Sequence, residues 1–275
     1  MASARHGRYI PNRIVPNSSP IAMAVLWGAI AIDCPPVMTR IAAIIPAAGL
    51  GTRMGADVPK QFLELDGMPL VIFTLRRLAS CKAITDFFLS TRADDVVSLQ
   101  NQLAKAAVGR PARVVHGGDT RQQSVANALA QVDPSTEIVL VHDAVRPFVT
   151  TEQLDRVIEE ARTRGAAILG IPAIDTVKEV KRASLPQDVA LITTTIPRER
   201  VVLAQTPQAF LYALLRDAFR AAEKDGIVGS DESSLVERFG HDVFVVLGSE
   251  RNLKITRPAD MDLAQFYLQQ ERAGK

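Results

Sequence analysis

Two basic residues, Arg53 and Lys60, follow a glycine-rich segment and have the type and spacing to bind the phosphates of a nucleotide. The segment, which starts at Pro46, reads Pro-Ala-Ala-Gly-Leu-Gly-Thr-Arg-Met-Gly, and its small residues would let backbone N–H groups approach an anion. Its spacing, GxGxxxG, misses the dinucleotide fingerprint GxGxxG by one residue, and no GK[ST] completes a Walker loop. Taken by itself, the segment is equally explained as a tight strand-to-helix turn with two solvated cations.

Five later segments carry further side chains suited to binding anions or metal ions. They are Gly117-Gly118-Asp119 with Arg121 and Ser124, His142-Asp143-Ala144-Val145-Arg146-Pro147, Asp175-Thr176, Thr206-Pro207-Gln208, and Lys254-Ile255-Thr256-Arg257-Pro258. Asp143 follows the apolar run 138–141, where a buried carboxylate needs a partner. A magnesium ion or a salt bridge with Arg146 would each supply one. Asp119 and Lys254, taken alone, are explained as a local helix cap and a surface lysine.

Several kinds of chemistry are not indicated by the sequence. It shows no recognisable Ser-His or Cys-His dyad for nucleophilic catalysis. His142 lies beside Asp143, but a histidine at a strand end more often packs or makes hydrogen bonds, and we expect no general-base role. Cys34 and Cys81 lack the spacing of a zinc site or a disulfide framework. The net charge of +2 is too small to recruit nucleic acid through a long-range field.

Together, and in order from about residue 41 to residue 267, these segments resemble the 2-C-methyl-D-erythritol 4-phosphate cytidylyltransferases of the non-mevalonate isoprenoid pathway, a family of the nucleotidyltransferase superfamily. The glycine-rich segment alone would be shared with every sugar-nucleotide pyrophosphorylase. The resemblance implies that the phosphate of methylerythritol 4-phosphate attacks the α-phosphorus of CTP and releases pyrophosphate, with Mg²⁺ as the cofactor. Because that nucleophile is already ionised, positioning and electrostatic stabilisation should carry the catalysis.

The resemblance also implies roles for individual residues. The expected catalytic cations are Arg53, Lys60 and Lys254. The residues expected to bind CTP are Ala47, Ala48, Gly49, Gly51, Arg53, Lys60, Gly118, Asp119, Ser124, Asp143 and Ala144. The residues expected to bind the alditol phosphate are Asp143, Arg146, Thr176, Arg198 and Lys254. Arg200 lies close enough in sequence to take the place of Arg198, and Asp143 is the expected Mg²⁺ ligand.

Alternating strand-like and helix-like patterns must position these residues. Strands are predicted at 41–46, 84–91, 113–116, 137–142, 166–171 and 242–247, and helices at 69–79, 94–106, 120–132, 152–164, 209–224, 231–239 and 258–270. Thr120 and Gln123 have the spacing of a capping box, and residues 252–255 around Lys254 look strand-like. The alternation predicts an α/β fold, a single Rossmann-like, doubly wound and mostly parallel sheet of the nucleotide-diphospho-sugar transferase type.

Residues 172–207 interrupt this alternation. They contain two β-prone runs, 176–180 and 192–196, with no helix between them, which predicts a β-arm projecting from the sheet. Such an arm cannot easily bury both faces on its own chain, so it is a candidate for dimerisation. The resemblance implies that the arm, with Thr176 and Arg198, reaches across a homodimer.

Residues 1–38 differ from the domain predicted at 39–275. Three arginines precede an apolar run at 21–32, which is too short to cross about 30 Å of hydrocarbon, and Asp33 spoils a signal-peptide cleavage site. We interpret these residues as a disordered extension or a start-site artefact, with translation able to begin at Met38. A cytoplasmic enzyme that meets no membrane and no nucleic acid is expected.

Other functions remain open from the residues alone. Another sugar- or alditol-phosphate nucleotidyltransferase would share Arg53 and Lys60. A non-catalytic nucleotide-binding module would share the fold but would be expected to lack one of the catalytic cations. A dinucleotide dehydrogenase fits poorly, because the glycine fingerprint is off by one residue and no acidic residue follows a second strand at the expected distance.

Overall fold

The structure is a computed structural model, and it describes residues 39–49, 59–181 and 189–274. Its strands are β1 (Ile41–Pro46), β2 (Glu64–Leu65), β3 (Met68–Pro69), β4 (Asp86–Thr91), β5 (Ala112–His116), β6 (Ile138–Val141), β7 (Ala166–Pro172), β8 (Val177–Lys181), β9 (Leu191–Ile196), β10 (Val202–Leu211) and β11 (Phe244–Leu247). Its helices are α1 (Leu70–Ser80), α2 (Val96–Ala106), α3 (Arg121–Leu129), α4 (Thr151–Arg164), α5 (Tyr212–Lys224), α6 (Glu232–Arg238) and α7 (Pro258–Ala273).

A seven-stranded sheet in the order β11-β7-β10-β6-β1-β4-β5 forms the centre of the described domain. All of its strand pairs are parallel except the two that β10 makes, with β6 and β7. Strand β1 is buried on both faces, which explains why its sequence is apolar throughout. The predicted doubly wound, mostly parallel α/β fold is confirmed.

Helices cover both faces of this sheet. Residues Ile41, Ala43 and Ile45 of β1 join one buried cluster with α1, α2 and α4. Residues Ala42 and Ile44 face the opposite cluster, with α3, α5 and α6. Helix α7 packs in a third cluster, which includes the loop that follows β6. None of the helices in the described part of the chain is long and apolar enough to span a membrane.

The antiparallel strand β10 is the largest difference from the elements expected. The predicted helix 209–224 begins only at Tyr212, because Ala209 and Phe210 are fully buried in the sheet between β6 and β7. The strand pairing of β10 shifts register between Ala204 and Gln208. The alternation of inward and outward side chains along β10 is therefore irregular, and the strand contains Pro207, a residue that is rare inside strands. Both features hide the strand in the sequence.

Two smaller expectations were wrong. Residues 252–255 are a loop and not a strand, and backbone hydrogen bonds from Asn252 to Ser249 and from Ile255 to Val145 hold it. Thr120 is the N-cap of α3 and accepts from the backbone N–H of Gln123 at 3.1 Å, as expected. However, the Gln123 side chain accepts from the N–H of Asp119 rather than that of Thr120, so the capping box is not closed.

The predicted arm consists of β8 and β9, which form a separate two-stranded antiparallel sheet. Every residue of β9 is exposed, and so is most of β8. Large apolar side chains on and beside this hairpin stay in solvent, among them Ile174, Leu191 and Ile192, each more than half exposed. The arm therefore presents an apolar surface that its own described chain does not cover.

Candidate active site

A cleft of about 160 Å³ opens at the carboxyl end of β1 and β6. This is the edge at which doubly wound sheets bind their ligands, because loops and helix N-termini meet there. The described residues lining the cleft are Pro46, Ala47, Ala48, Gly49, Lys60, Gln61, Gly118, Asp119, Thr120, Arg121, Ser124, Asp143, Ala144, Val145 and Lys254. Most of the residues predicted to bind CTP are thus brought together in one place.

Asp143 lies between three cations at the floor of the cleft. Lys254 Nζ is 2.8 Å from its Oδ2, an Nη of Arg121 is 3.3 Å from its Oδ1, and Arg146 Nε is 3.5 Å from Oδ2. Burial alone would raise the pKa of this carboxyl group, but the three cations lower it well below its usual range. Asp143 is therefore ionised at any physiological pH, and the salt bridge with Arg146 left open above is present.

Arg121 joins Asp143 to a second buried carboxylate. Its two terminal nitrogens donate to both oxygens of Glu232 at 2.7 to 3.0 Å, while its Nε donates to Asp143 at 3.3 Å. Glu232 is only 1% exposed. Burial lowers the pKa of Arg121, but its two carboxylate neighbours outweigh that effect and hold the pKa above its usual value. The guanidinium is therefore a fixed cation in the cleft wall.

His142 has a hydrogen-bonding role and is fully buried. Its Nε2 lies 3.0 Å from the carbonyl oxygen of Arg146 and its Nδ1 lies 3.2 Å from the hydroxyl of Thr206. The same hydroxyl accepts from the backbone N–H of Asp143 at 3.0 Å. These partners require Nε2 to donate and Nδ1 to accept, so the neutral ring fixes the turn between Asp143 and Arg146.

The buried position of His142 makes the stability of the fold depend on pH. Burial lowers the pKa of His142 to about 4 from a usual value near 6.5. Between about pH 6.5 and about pH 4, His142 is therefore protonated in the unfolded chain but neutral in the folded chain. As the pH drops through this range, the free energy of unfolding decreases by about 3 kcal/mol. In His142→Asn this slope should decrease by about one proton, as measured by urea unfolding at several pH values. Identical slopes in the two proteins would contradict this origin.

Gly117 and Gly118 form a tight corner between β5 and α3. A Cβ on Gly117 would lie 2.8 Å from that of Ala48, so a side chain there would push the β1 loop and the corner apart. The Ser124 hydroxyl accepts from the N–H of Gly118 at 3.0 Å and donates to the Thr120 carbonyl at 2.9 Å. Ser124 thereby connects the corner to the first turn of α3. The side chain of Asp119 is exposed at the cleft mouth.

The loop that carries Lys254 is secured from two sides. The amide nitrogen of Asn252, a fully buried residue, donates to the Thr206 carbonyl at 2.9 Å and to Gln205 at 3.2 Å. The Asn252 carbonyl accepts from Nη1 of Arg146 at 2.7 Å. These contacts place Lys254 beside Asp143, but they also hold Arg146 among buried groups, away from the described lining of the cleft.

Gln61 fastens the segment that carries Lys60 to the end of β1. It is 2% exposed, and its amide nitrogen donates to the Ala47 carbonyl at 2.7 Å. The N–H of Ala47 donates to the Ser90 carbonyl at 2.7 Å. Ala47 lines the cleft, but both of its backbone polar groups are already bonded within the protein, so its contribution there is mainly one of shape.

Five expected site residues are not among the described residues that line this cleft, and the buried Arg146 is one of them. Gly51 and Arg53 lie outside the described residues. Thr176 and Arg198 are on the arm, exposed, and do not line the cleft. Nη1 of Arg198 donates to the carbonyl oxygen of Ile174 at 2.7 Å, so the arm holds its own arginine in solvent. The described cleft of one chain thus contains most of the residues expected to bind CTP, but it lacks three of the five expected to bind the alditol phosphate.

A magnesium ion, which the family resemblance implies, would need oxygen ligands here. Asp143 offers an ionised carboxylate that lines the cleft. Within residues 39–49, 59–181 and 189–274, no three His, Cys, Asp or Glu side chains gather into a metal site. Mg²⁺ commonly takes one or two carboxylates and completes its coordination with phosphate oxygens and water. The donors present therefore fit an ion brought with a nucleotide and not one caged by protein.

Sequence reasoning did not assign a role to Arg121, Glu232, Gln61 or Asn252. Arg121 belongs to the segment that carries the resemblance, and its place at the first position of α3 could have indicated a cleft residue. Glu232 is 111 positions away from Arg121 and gives no local signal. Only the packing of α6 against the sheet brings the two together.

Comparison with known proteins adds to this geometry. A family model described as 2-C-methyl-D-erythritol 4-phosphate cytidylyltransferase matches residues 41–270. A protein of that name from Acidobacterium capsulatum is 51% identical over 237 residues, which cover 84% of this chain and 98% of the relative. Its namesake from Solibacter usitatus is 45% identical over 241 residues, covering 85% of this chain and 98% of the relative.

Solved structures give the same result. The crystal structure of 4-diphosphocytidyl-2C-methyl-D-erythritol synthase from Anaerococcus prevotii superposes with a TM-score of 0.72 at 34% identity, covering 84% of this chain and 97% of that one. The 2-C-methyl-D-erythritol 4-phosphate cytidylyltransferase from Thermus thermophilus superposes with a TM-score of 0.67 at 34% identity, covering 83% of this chain and 98% of that one.

Proposed function

The chain belongs to the 2-C-methyl-D-erythritol 4-phosphate cytidylyltransferase family, and from that premise we propose how its residues carry out the reaction. The enzyme is a nucleotidyltransferase that joins the cytidylyl group of CTP to 2-C-methyl-D-erythritol 4-phosphate and releases pyrophosphate, a step in isoprenoid synthesis. The observation that best supports the assignment of residues is the cleft in which Asp143, Lys254 and Lys60 meet the Gly118 corner.

The chemical step needs cations more than it needs a base. A phosphate oxygen of the alditol attacks the α-phosphorus of CTP, an O–P bond forms, and the bond to the bridging oxygen breaks as pyrophosphate leaves. The attacking phosphate is already ionised. His142 can contribute no base, because its ring is buried and both nitrogens have partners within the protein. We therefore assign the rate enhancement to positioning and to charge stabilisation.

Lys60 and Lys254 are the proposed catalytic cations in the described cleft, and Arg53 is the third by its motif. Lys254 is partly exposed and 2.8 Å from Asp143, so it can contact an incoming phosphate while it remains paired. Lys60 also lines the cleft, in the segment that Gln61 fastens to Ala47 after β1. Two cations lining one cleft would share the charge of the reacting phosphates between them.

Mg²⁺ is the proposed cofactor, with Asp143 as its protein ligand. When bound, the ion would neutralise charge on the triphosphate and draw its oxygens into one orientation. The chain supplies the ionised carboxylate and the cations around it. The Gly118, Asp119 and Ser124 corner, together with Ala48 and Gly49, is the proposed site of the cytidine, and its backbone groups would reject the larger purine ring by size.

The arm is proposed to complete the site in a homodimer. Its apolar side chains are exposed in one chain, and its Thr176 and Arg198 do not line the described cleft of that chain. A second copy would cover the apolar surface and receive these polar residues at its own cleft. Arg146, held by Asp143 and the Asn252 carbonyl, would contribute by positioning the Asp143 carboxylate.

The function is tested by supplying CTP together with 2-C-methyl-D-erythritol 4-phosphate, with ribitol 5-phosphate, or with a hexose 1-phosphate, and measuring pyrophosphate. We expect release with the methylerythritol phosphate at a kcat/KM far above that for the other two. Efficient release with ribitol 5-phosphate or the hexose phosphate instead would assign the chain another substrate. The absence of release with every phosphate would indicate a binding module.

Residues 1–38 are proposed to be dispensable for this reaction, and the cytoplasm, where CTP is made, is the proposed location. The family match begins at residue 41. We therefore expect a protein beginning at Met38 to keep its turnover and its melting temperature. A melting temperature several degrees lower, measured by circular dichroism, would contradict this by showing that the removed residues stabilise the domain.

A further inference from the structure

Glu232 is a buried carboxylate for which the reaction described above has no use. It is the first residue of α6, it is 1% exposed, and both of its oxygens accept hydrogen bonds from the Arg121 guanidinium at 2.7 to 3.0 Å. Burying a carboxylate is unfavourable unless it is paired, and burial here raises the pKa of Glu232. Because Glu232 is both buried and fully paired, we treat its ion pair with Arg121 as a structural feature of the cleft and not as a surface salt bridge.

The start of α6 is held rigidly, so Glu232 is a fixed point. The side chain of Asp231 caps the helix by accepting from the N–H of Ser234 at 3.0 Å. Gln208 of β10 donates to Asp231 at 2.7 Å and accepts from the N–H of Ser233 at 3.1 Å. The central sheet therefore sets the position of Glu232, and Glu232 in turn sets that of Arg121.

The guanidinium of Arg121 is shared between Glu232 and Asp143, and Glu232 has the closer contacts. A guanidinium is a planar fork, and its strongest contact with a carboxylate is the two-pronged one. Glu232 takes the short contacts of the two terminal nitrogens, at 2.7 to 3.0 Å, and one oxygen of Asp143 has longer contacts of 3.3 Å with Nε and with one terminal nitrogen. Without the Glu232 charge, the fork is free to turn and pair fully with Asp143, the next carboxylate within reach.

We propose that Glu232 is a positioning residue for the nucleotide: it holds Arg121 in the cleft wall, facing the CTP phosphates or ribose, and prevents it from turning to form a closer, two-pronged pair with Asp143. The inference rests on the proposed function of this cleft. It predicts that Glu232 affects the binding of CTP and not that of the alditol phosphate, because Arg121 lines the wall beside Gly118 and Asp119.

The test compares Glu232→Gln with the wild type and with Glu237→Gln, a matched change on the exposed side of the same helix. We expect Glu232→Gln to raise the KM for CTP by about 10-fold or more, the size expected for a lost hydrogen bond to a charged group. The KM for 2-C-methyl-D-erythritol 4-phosphate should change less than about 2-fold, as should both constants in Glu237→Gln. Calorimetric titration with CTP alone should show the same weakening without turnover.

Glu232→Asp makes the test independent of a folding defect. It keeps the charge but is one methylene shorter, so it should bind CTP with an affinity between those of the wild type and Glu232→Gln. An unchanged KM for CTP in a folded variant, or an equal rise for both substrates, would overturn the inference. If Glu232→Gln does not fold, Glu232→Asp decides on the same criteria. A wild type that binds CTP but makes no product would refute the proposed function and leave this comparison of CTP affinities valid.

Discussion

Asp143→Asn is expected to lower kcat by about 10²-fold or more at saturating substrates and to destabilise the folded chain as well. The amide is nearly the same size but carries no charge, so Lys254, Arg121 and Arg146 lose the carboxylate at which they converge. The cations would then be misplaced for a developing anion, an effect comparable to the loss of a preorganised donor. A proposed Mg²⁺ ligand would be removed as well.

The loss of stability follows from the burial of the partners. Removing one member of a buried ion pair leaves the other without compensation, which costs about 3 to 5 kcal/mol. Arg146 is buried, so its charge would then lack its carboxylate partner. The matched control is Asp133→Asn, which breaks a largely solvent-exposed pair with Arg40 and should change little. Urea unfolding and initial rates across a magnesium titration measure the two effects. If Asp143→Asn has wild-type stability and an unchanged response to magnesium, both assignments are wrong.

The inner strands β1, β4, β6 and β7 were predictable because most of their residues are buried. Strands covered on both faces are mainly apolar, so these four give strong local signals. Strand β10 gave none, since its first residues are exposed next to the arm and its pairing shifts across Pro207. Its existence depends on contacts with β6 and β7, which are distant in the sequence.

The candidate site was predictable to the extent that short segments carry it. Asp143 and Lys254 came from motifs, and the structure adds that they touch each other. The motifs could not show which charged side chains form ion pairs with one another. Glu232 reaches Arg121 only because Gln208 fixes the start of α6 on the sheet. Arg146 comes from a motif too, but its burial depends on the Asn252 loop, which no periodicity describes.

The arm raises the question of which chain supplies Thr176 and Arg198 to a given site. Thr176 immediately precedes β8 and Arg198 follows β9, so both flank the exposed hairpin, and neither lines the described cleft of the same chain. If the hairpin serves a second copy, a site contains its own Lys254 and the Arg198 of the other chain. Two inactive variants, Arg198→Ala and Lys254→Ala, should then restore activity when they are refolded together.

The expected recovery can be calculated. In a mixed dimer one site has an intact Lys254 and an intact Arg198 from the other chain, while the second site carries both lesions. Random assembly makes about half of the dimers mixed, so an equal mixture should recover roughly a quarter of wild-type activity, from near zero for each variant refolded alone. Arg200→Ala is the control and should stay active if Arg198 is the residue that contacts substrate. If the arms act within their own chains, every site keeps one lesion, and no activity returns even though mass spectrometry detects mixed dimers.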